Sequence, residues 1–394
     1  MEGKRFLQSI QLRQLLSYQN TSVELLPLNI LVGINGSGKS NLIEAFEILR
    51  AAPRDLSLPF RKSGGASEWV WKGDVNDDAF QVGVAANDLI NQQDANGLFY
   101  SLTISEIGAG AGLYIENEGL FDNNGYYFQR EDGTSVLYEV QPEHGSKGRV
   151  AHDVSHVYSN TASILSQVKD PRGYFALTLW GHALQRIRIY RDWNLGRNTP
   201  PRQPQPADMP NDFLEEDASN LGLVLNGLLN RPDTKREIIR RLQEFNPAYE
   251  DVATLVNGGT VQIFLHEKGM TKPIPATRVS DGTLRYLCLL SILCHPEPPP
   301  LICLEEPEVG LHPDIMPKVA ELLLEASQRT QLIVTTHSDA LVSALSHVPE
   351  TILVCERDDE GTHLKRLEAD KLKDWLKDYS LGDLWRMGEI GGTL

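Results

Sequence analysis

The sequence predicts an α/β fold: a parallel core sheet covered by helices, an antiparallel β-rich layer and a mainly helical second lobe. Three observations carry this. Leu28 to Val32 is a short apolar run followed by a glycine-rich loop and then by helical periodicity from Asn41 to Leu49. From Ser280 onward, helix and strand alternate: Leu284–Cys294, Leu301–Leu304, Ile315–Ser327 and Leu332–Thr335. Strands that alternate with helices argue for a parallel sheet buried on both faces. Between about residues 55 and 160 the chain is rich in Gly, Asn, Asp and aromatics, with short alternating stretches such as Ala79–Ala85, Leu98–Ile104 and Tyr126–Gln129. That pattern reads as antiparallel strands with turns.

Taken in order, residues 4 to 50 read as strand, strand, loop, helix, and Thr161 to Tyr190 turns helical. Asn198 to Pro210 carries Pro200, Pro201, Pro204, Pro206 and Pro210, the composition of an extended, exposed connector. Phe213 to Phe245 is helical again, and its basic run at Lys235, Arg236, Arg240 and Arg241 reads as a solvated face. The expected units are 1–165, a lobe with the glycine-rich loop and β-rich segment; 166–290, a mainly helical lobe; and 291–394, the remainder of the core. No sustained heptad pattern is present, so no long coiled coil is expected.

The 394 residues carry 37 basic and 53 acidic side chains, a formal net charge of −16, which gives no general argument for nucleic-acid binding. No apolar run is long enough to span a bilayer, and no signal-peptide core precedes a cleavage site, so a cytoplasmic protein is expected. Cys288, Cys294, Cys303 and Cys355 all lie in apolar runs without a Cys-x-x-Cys pair, which points to buried reduced thiols.

The glycine-rich segment Gly33–Ser40 reads Gly-Ile-Asn-Gly-Ser-Gly-Lys-Ser, a complete phosphate-binding loop between strand and helix. Asn35, Gly36, Ser37, Gly38 and Asn41 would wrap the phosphates. Lys39 would reach the β- and γ-phosphates, and Ser40 would ligate Mg²⁺. ATP and Mg²⁺ are the implied ligands. Leu301–Glu306 is an apolar strand ending in two acids: Glu305 is assigned to the metal and Glu306 to the attacking water. His337, at the end of the next apolar strand, is placed to sense the γ-phosphate or that water. Ser280, Asp281 and Gly282 open an apolar helix and offer a second set of backbone N–H groups, suited to the nucleotide of another subunit.

In this order the motifs resemble the ABC-type ATPases of the SMC and RecF kind. Gly33–Ser40 resembles Walker A, Ser280–Arg285 the signature, Leu301–Glu306 Walker B, Gly310–Pro313 the D-loop and His337 the switch histidine. Glu305–Glu308 followed by Gly-Leu-His-Pro is similar to stand-alone RecF-like AAA-family ATPases and to the ATPase half of the OLD nucleases. The ending Leu381–Arg386 with Gly388–Gly392 resembles the stand-alone group. The sequence departs from the usual pattern in having Asp281 where most such proteins have Gly, and Glu305 where most have Asp. The Q-loop glutamine, which links the lobes at the metal, has no firm motif; Gln167 is the candidate. The resemblance implies a head-to-tail homodimer with two sandwiched ATPs, able to join a larger assembly. Fewer than sixty residues follow His337, too few for the Toprim nuclease of OLD proteins, so any effector, such as a nuclease, is expected on another polypeptide. Glu356, Asp358 and Asp359 read as a solvated hairpin rather than a Toprim cluster. His152 and His156 have helical spacing, but no apolar helix surrounds them.

The expected function is an Mg²⁺-dependent ATPase acting as a nucleotide-gated sensor in bacterial anti-phage defence. The alternatives are a RecF-like repair ATPase that clamps duplex DNA, and a P-loop small-molecule kinase.

Overall fold

The computed structural model describes residues 3–73, 78–86, 97–106, 112–140 and 148–391. Its strands are β1 Leu7–Leu15, β2 Tyr18–Glu24, β3 Leu28–Val32, β4 Ala79–Ala86, β5 Leu98–Glu106, β6 Leu113–Asp122, β7 Gly125–Glu131, β8 Thr134–Val140, β9 Arg149–Asp153, β10 Arg188–Tyr190, β11 Gln205–Pro206, β12 Tyr249–Asn257, β13 Thr260–Glu267, β14 Ile274–Pro275, β15 Leu301–Glu305, β16 Gln331–Thr335, β17 Ile352–Asp358 and β18 Gly361–Arg366. The helices are α1 Lys39–Ala51, α2 Leu58–Lys62, α3 Ile164–Gln167, α4 Phe175–Gln185, α5 Leu221–Leu229, α6 Pro232–Phe245, α7 Asp281–Leu293, α8 Met316–Ser327, α9 Asp339–Ala344, α10 Ala369–Leu372 and α11 Leu381–Arg386.

One continuous sheet runs β10-β15-β16-β3-β17-β18-β2-β1-β4-β5-β6-β7-β8-β9. Its first five strands pair in parallel, and from β18 onward the pairing is antiparallel. The parallel half is buried on both faces because its strands are mostly apolar, as β3 shows with five buried residues of which only Asn29 is polar. Alternation divides these residues between two cores. Leu31, Cys303, Ile333 and Leu353 join one core with α1 and α4, while Ile30, Val32, Leu304, Val334 and Val354 join the other with α5 to α9 and α11. The four cysteines are buried and free, and burial pushes the Cys288 and Cys355 thiols up to about 12.

Three expectations need correction. Thr161–Tyr190 is not wholly helical: Arg188–Tyr190 forms β10, the edge strand beside β15. The lobe expected to be mainly helical carries a second sheet, β11-β13-β12 with β14 on β13, of which β12, β13 and β14 lie between α6 and α7 and β11 before α5. The proline-rich connector is partly buried, since Pro201, Arg202 and Gln205 are inaccessible and Gln205–Pro206 pairs with β13. The basic run on α6 also divides. Arg236 and Arg240 pair with neighbouring acids on the exposed face, whereas Arg241 is buried and ties α6 to Glu321 and Glu325 of α8. Asp358 bonds His363 in the exposed β17–β18 hairpin. His152 lies on β9 opposite Leu137, where helical spacing does not apply. Gly392 lies outside the described residues.

The antiparallel layer holds an inaccessible ion pair. Glu118 and Arg130 side chains are fully buried, 3.4 Å apart. Glu118 also accepts from Tyr100, Ser163 and the Ile164 N–H; Arg130 donates to Ser135, Ala162 O and Ser159 O. Burial raises the Glu118 carboxyl, and Arg130 and these hydrogen bonds oppose the rise. Arg130→Met strands the carboxylate and is expected to cost about 3–5 kcal/mol of stability in urea melts, with much of it recovered in the Glu118→Gln/Arg130→Met double variant.

Candidate functional site

The parallel strands β15, β16 and β3 end together, and the candidate residues follow their C-terminal ends. The loop after β3 is held from behind. Tyr18 donates to Gly38 O at 2.9 Å, Thr362 to Ser37 O at 2.8 Å, and Lys39 Nζ to Gly33 O and Ile34 O at 2.8 Å each. The first-turn N–H groups of α1 lack intrahelical acceptors and so suit an anion. Asn41 fixes the same wall by donating to Ser17 Oγ at 2.8 Å. Gly38 has φ of 104°, and a Cβ there would stand 2.6 Å from Ser17 Oγ, so only glycine fits. Gly36 also has positive φ and open space beside it. Burial pushes the Lys39 ammonium below its usual range; Cys355, Glu306 and Glu305 pull it partly back.

Glu305 ends β15 in register with Thr335 of β16, and its carboxylate accepts directly from the Ser40 hydroxyl. Two hard oxygen donors at the start of α1 fit a Mg²⁺ that accompanies a nucleotide. The next residue, Glu306, has φ of 45°, and its N–H is held by Thr335 O at 3.0 Å. This left-handed backbone is costly for a non-glycine residue and gives the side chain a direction different from that of Glu305. His337 Nε2 lies 3.5 Å from Glu306 Oε1. Glu308 positions that histidine: its Oε1 accepts from the His337 N–H and from Thr336 Oγ1, each at 2.7 Å.

The expected signature residues lie elsewhere. Ser280 caps α7, accepting from the Thr283 N–H at 3.2 Å, and is exposed. Asp281 is held by Arg202, a buried residue of the proline-rich segment that also donates to Ala276 O and Leu195 O. Gly282 faces the D-loop segment, where an added Cβ would meet Gly310 O at 2.9 Å. Among the described residues, Ser280 and Asp281 find their side-chain partners in Thr283 and Arg202, not in the Gly33–Ser40 loop.

The structure does not bring Gln167 to the site. Its amide accepts from the Ser159 N–H and donates to Ser159 O and Ala162 O at 2.8–2.9 Å, closing the loop that also serves Arg130. A residue the sequence did not reveal takes the place beside Glu305. Arg191 follows β10, with Nη1 2.6 Å from Glu44 Oε1 and Nε 3.8 Å from Glu305 Oε2. Burial would lower this guanidinium, and Glu44 with Glu305 outweighs it, so the net shift is upward. Glu308 was likewise unassigned, although it belongs to the Glu-Glu-Pro-Glu run.

A mixed sheet with a phosphate loop after β3, an acid-ended strand two places away at β15 and a separate capped helix defines an ABC-type P-loop ATPase head. The chain belongs to the family described as "AAA domain, putative AbiEii toxin, Type IV TA system", whose profile matches residues 28–83 and 141–343, more than half its length. It is also 22% identical over 408 positions to the Old nuclease of Escherichia phage P2, covering 95% of this chain and 63% of that relative. Among solved structures, it resembles an Smc head bound to the C-winged helix domain of ScpA, with a TM-score of 0.61 and 14% identity over 93% of this chain and 99% of that one. An Smc head with extended coiled coil from Pyrococcus furiosus gives a TM-score of 0.58 at 13% identity, covering 95% and 99%. These likenesses establish the OLD-like and SMC-like ATPase fold. Among the described residues, no helix is long and apolar enough to cross a membrane.

Proposed function

We propose that the chain binds ATP with Mg²⁺ at Gly33–Ser40 and hydrolyses it within a head-to-tail dimer. The observation that carries this is the meeting of two pairs at the C-terminal ends of the parallel strands: Ser40 at the start of α1 with Glu305 of β15, and Glu306 after β15 with His337 after β16. Bound Mg²⁺ would supply charge neutralisation at the phosphates. Ser40 and Glu305 hold it, Lys39 and the loop N–H groups bind the phosphates, and Glu306 takes a proton from water. His337 orients that water or senses the γ-phosphate. Ser280 and Asp281, exposed at the start of α7, with Gly282 serve the partner's ATP. The output is a nucleotide-gated change of assembly. The resemblance of Glu305–Pro313 and of the C-terminal motifs to stand-alone RecF-like ATPases is the ground for a role in anti-phage defence, with the head controlling a separately encoded effector.

Lys39→Ala tests the base of this reading. ATP affinity, measured with a fluorescent nucleotide, is expected to fall roughly 100-fold, the worth of one or two charge-assisted hydrogen bonds. Wild-type affinity in that variant would place the nucleotide elsewhere.

A further inference from the structure

Tyr190 of β10 pairs with Leu304 of β15, so the next residue, Arg191, stands beside Glu305. Its guanidinium bridges the Glu44 carboxylate of α1 and the Glu305 carboxylate, the same group that Ser40 contacts. Its remaining terminal nitrogen, Nη2, is buried and has no hydrogen-bond partner among the described residues. A buried N–H without an acceptor is costly, and a charged one more so. The group is therefore half satisfied: one end neutralises the acids, and Nη2 is left without an acceptor in this arrangement.

We propose that Arg191 is a resident counter-cation of the metal pocket that gives up Glu305 to Mg²⁺ and donates to the phosphates of the bound nucleotide. This rests on the ATP site proposed above and adds a residue to it. A guanidinium and a divalent cation compete for the same carboxylate, so Arg191 weakens the binding of metal alone. The same positive charge favours a polyanion, so it strengthens the binding of nucleotide. The two effects have opposite sign, which a merely structural arginine would not produce. Arg191 also starts the segment leading to Trp193, whose ring packs under Arg285 of α7 at 5.3 Å. A shift of Arg191 on nucleotide binding thus has a short route to the signature helix.

The test is Arg191→Ala in the full chain, with Arg191→Lys as the charge-preserving control and circular dichroism melts to show that both fold. Mn²⁺ binding without nucleotide, followed by electron paramagnetic resonance, is expected to tighten about threefold to tenfold in Arg191→Ala. ATP binding without divalent metal is expected to weaken about tenfold, and Arg191→Lys should restore both towards wild type. Unchanged affinities overturn the proposal. So does parallel weakening of both without rescue by lysine, which marks a structural role. If the wild-type chain binds no ATP, the nucleotide reading itself fails; if it binds ATP in a Lys39-dependent way and Arg191→Ala changes nothing, only the Arg191 assignment falls.

Discussion

Glu306→Gln leaves ATP binding intact, lowers hydrolysis by roughly a thousandfold and makes the ATP-bound dimer accumulate. The magnitude is that of losing a positioned general base. The substitution keeps the shape of the side chain, and the backbone at Glu306 is fixed independently of it. The N–H is held by Thr335 O, and the φ of 45° is imposed by the step from β15 into the Glu-Pro-Glu turn. Glutamine can still accept from water and from His337, 3.5 Å away in the native chain, but it cannot take the proton. Glu305 and Ser40 are untouched, so metal and nucleotide still bind. Size exclusion with ATP and Mg²⁺ should show a dimer peak that the wild-type chain loses as ATP is consumed. A variant that remains monomeric with ATP bound rules out the sandwich, and one that hydrolyses ATP at the wild-type rate removes Glu306 from the role of base.

Much of this site was legible because its signals are local. Gly33–Ser40 follows a five-residue run with four apolar residues and precedes helical spacing, so strand, loop and helix confirm one another without tertiary information. Glu305 and Glu306 were legible as the end of a buried strand. The different directions of their side chains depend on the left-handed φ of Glu306, which no periodicity encodes. The β12–β13 hairpin had a readable turn, Asn257-Gly258-Gly259-Thr260, with both glycines at positive φ. Its alternation was masked by neighbouring helices and by Leu255 and Val256, apolar residues that remain exposed. Arg191 had no local signal. β10 is three residues long, too short for a period, and the worth of Arg191 comes from pairing with a strand more than a hundred residues later. Gln167 failed for the converse reason. Glutamine at a β-to-helix transition is chemically suitable anywhere, and here the nearest polar groups, Ser159 and Ala162 O, claim its amide.

Ser280→Arg is expected to reduce turnover at least 100-fold while changing the ATP affinity of the monomer less than about threefold. Ser280 caps α7 through the Thr283 N–H, so its replacement also costs about 1 kcal/mol of helix stability, visible as a small drop in melting temperature. That cost is too small to unfold a chain with two large cores. The larger effect comes from placing a long charged side chain at an exposed helix start that would close over the partner's nucleotide. Parallel loss of ATP affinity in the monomer would assign Ser280 to its own subunit's site and remove the basis for a composite one. Mixing gives the sharper result. Ser280→Arg retains Lys39, and Lys39→Ala retains Ser280, so a head-to-tail pair of the two contains one intact composite site and one doubly damaged one. Two inactive preparations should therefore regain turnover when combined, to about a quarter of the wild-type level if pairing is random and the sites act independently. Sites complete within one chain would stay silent at every mixing ratio.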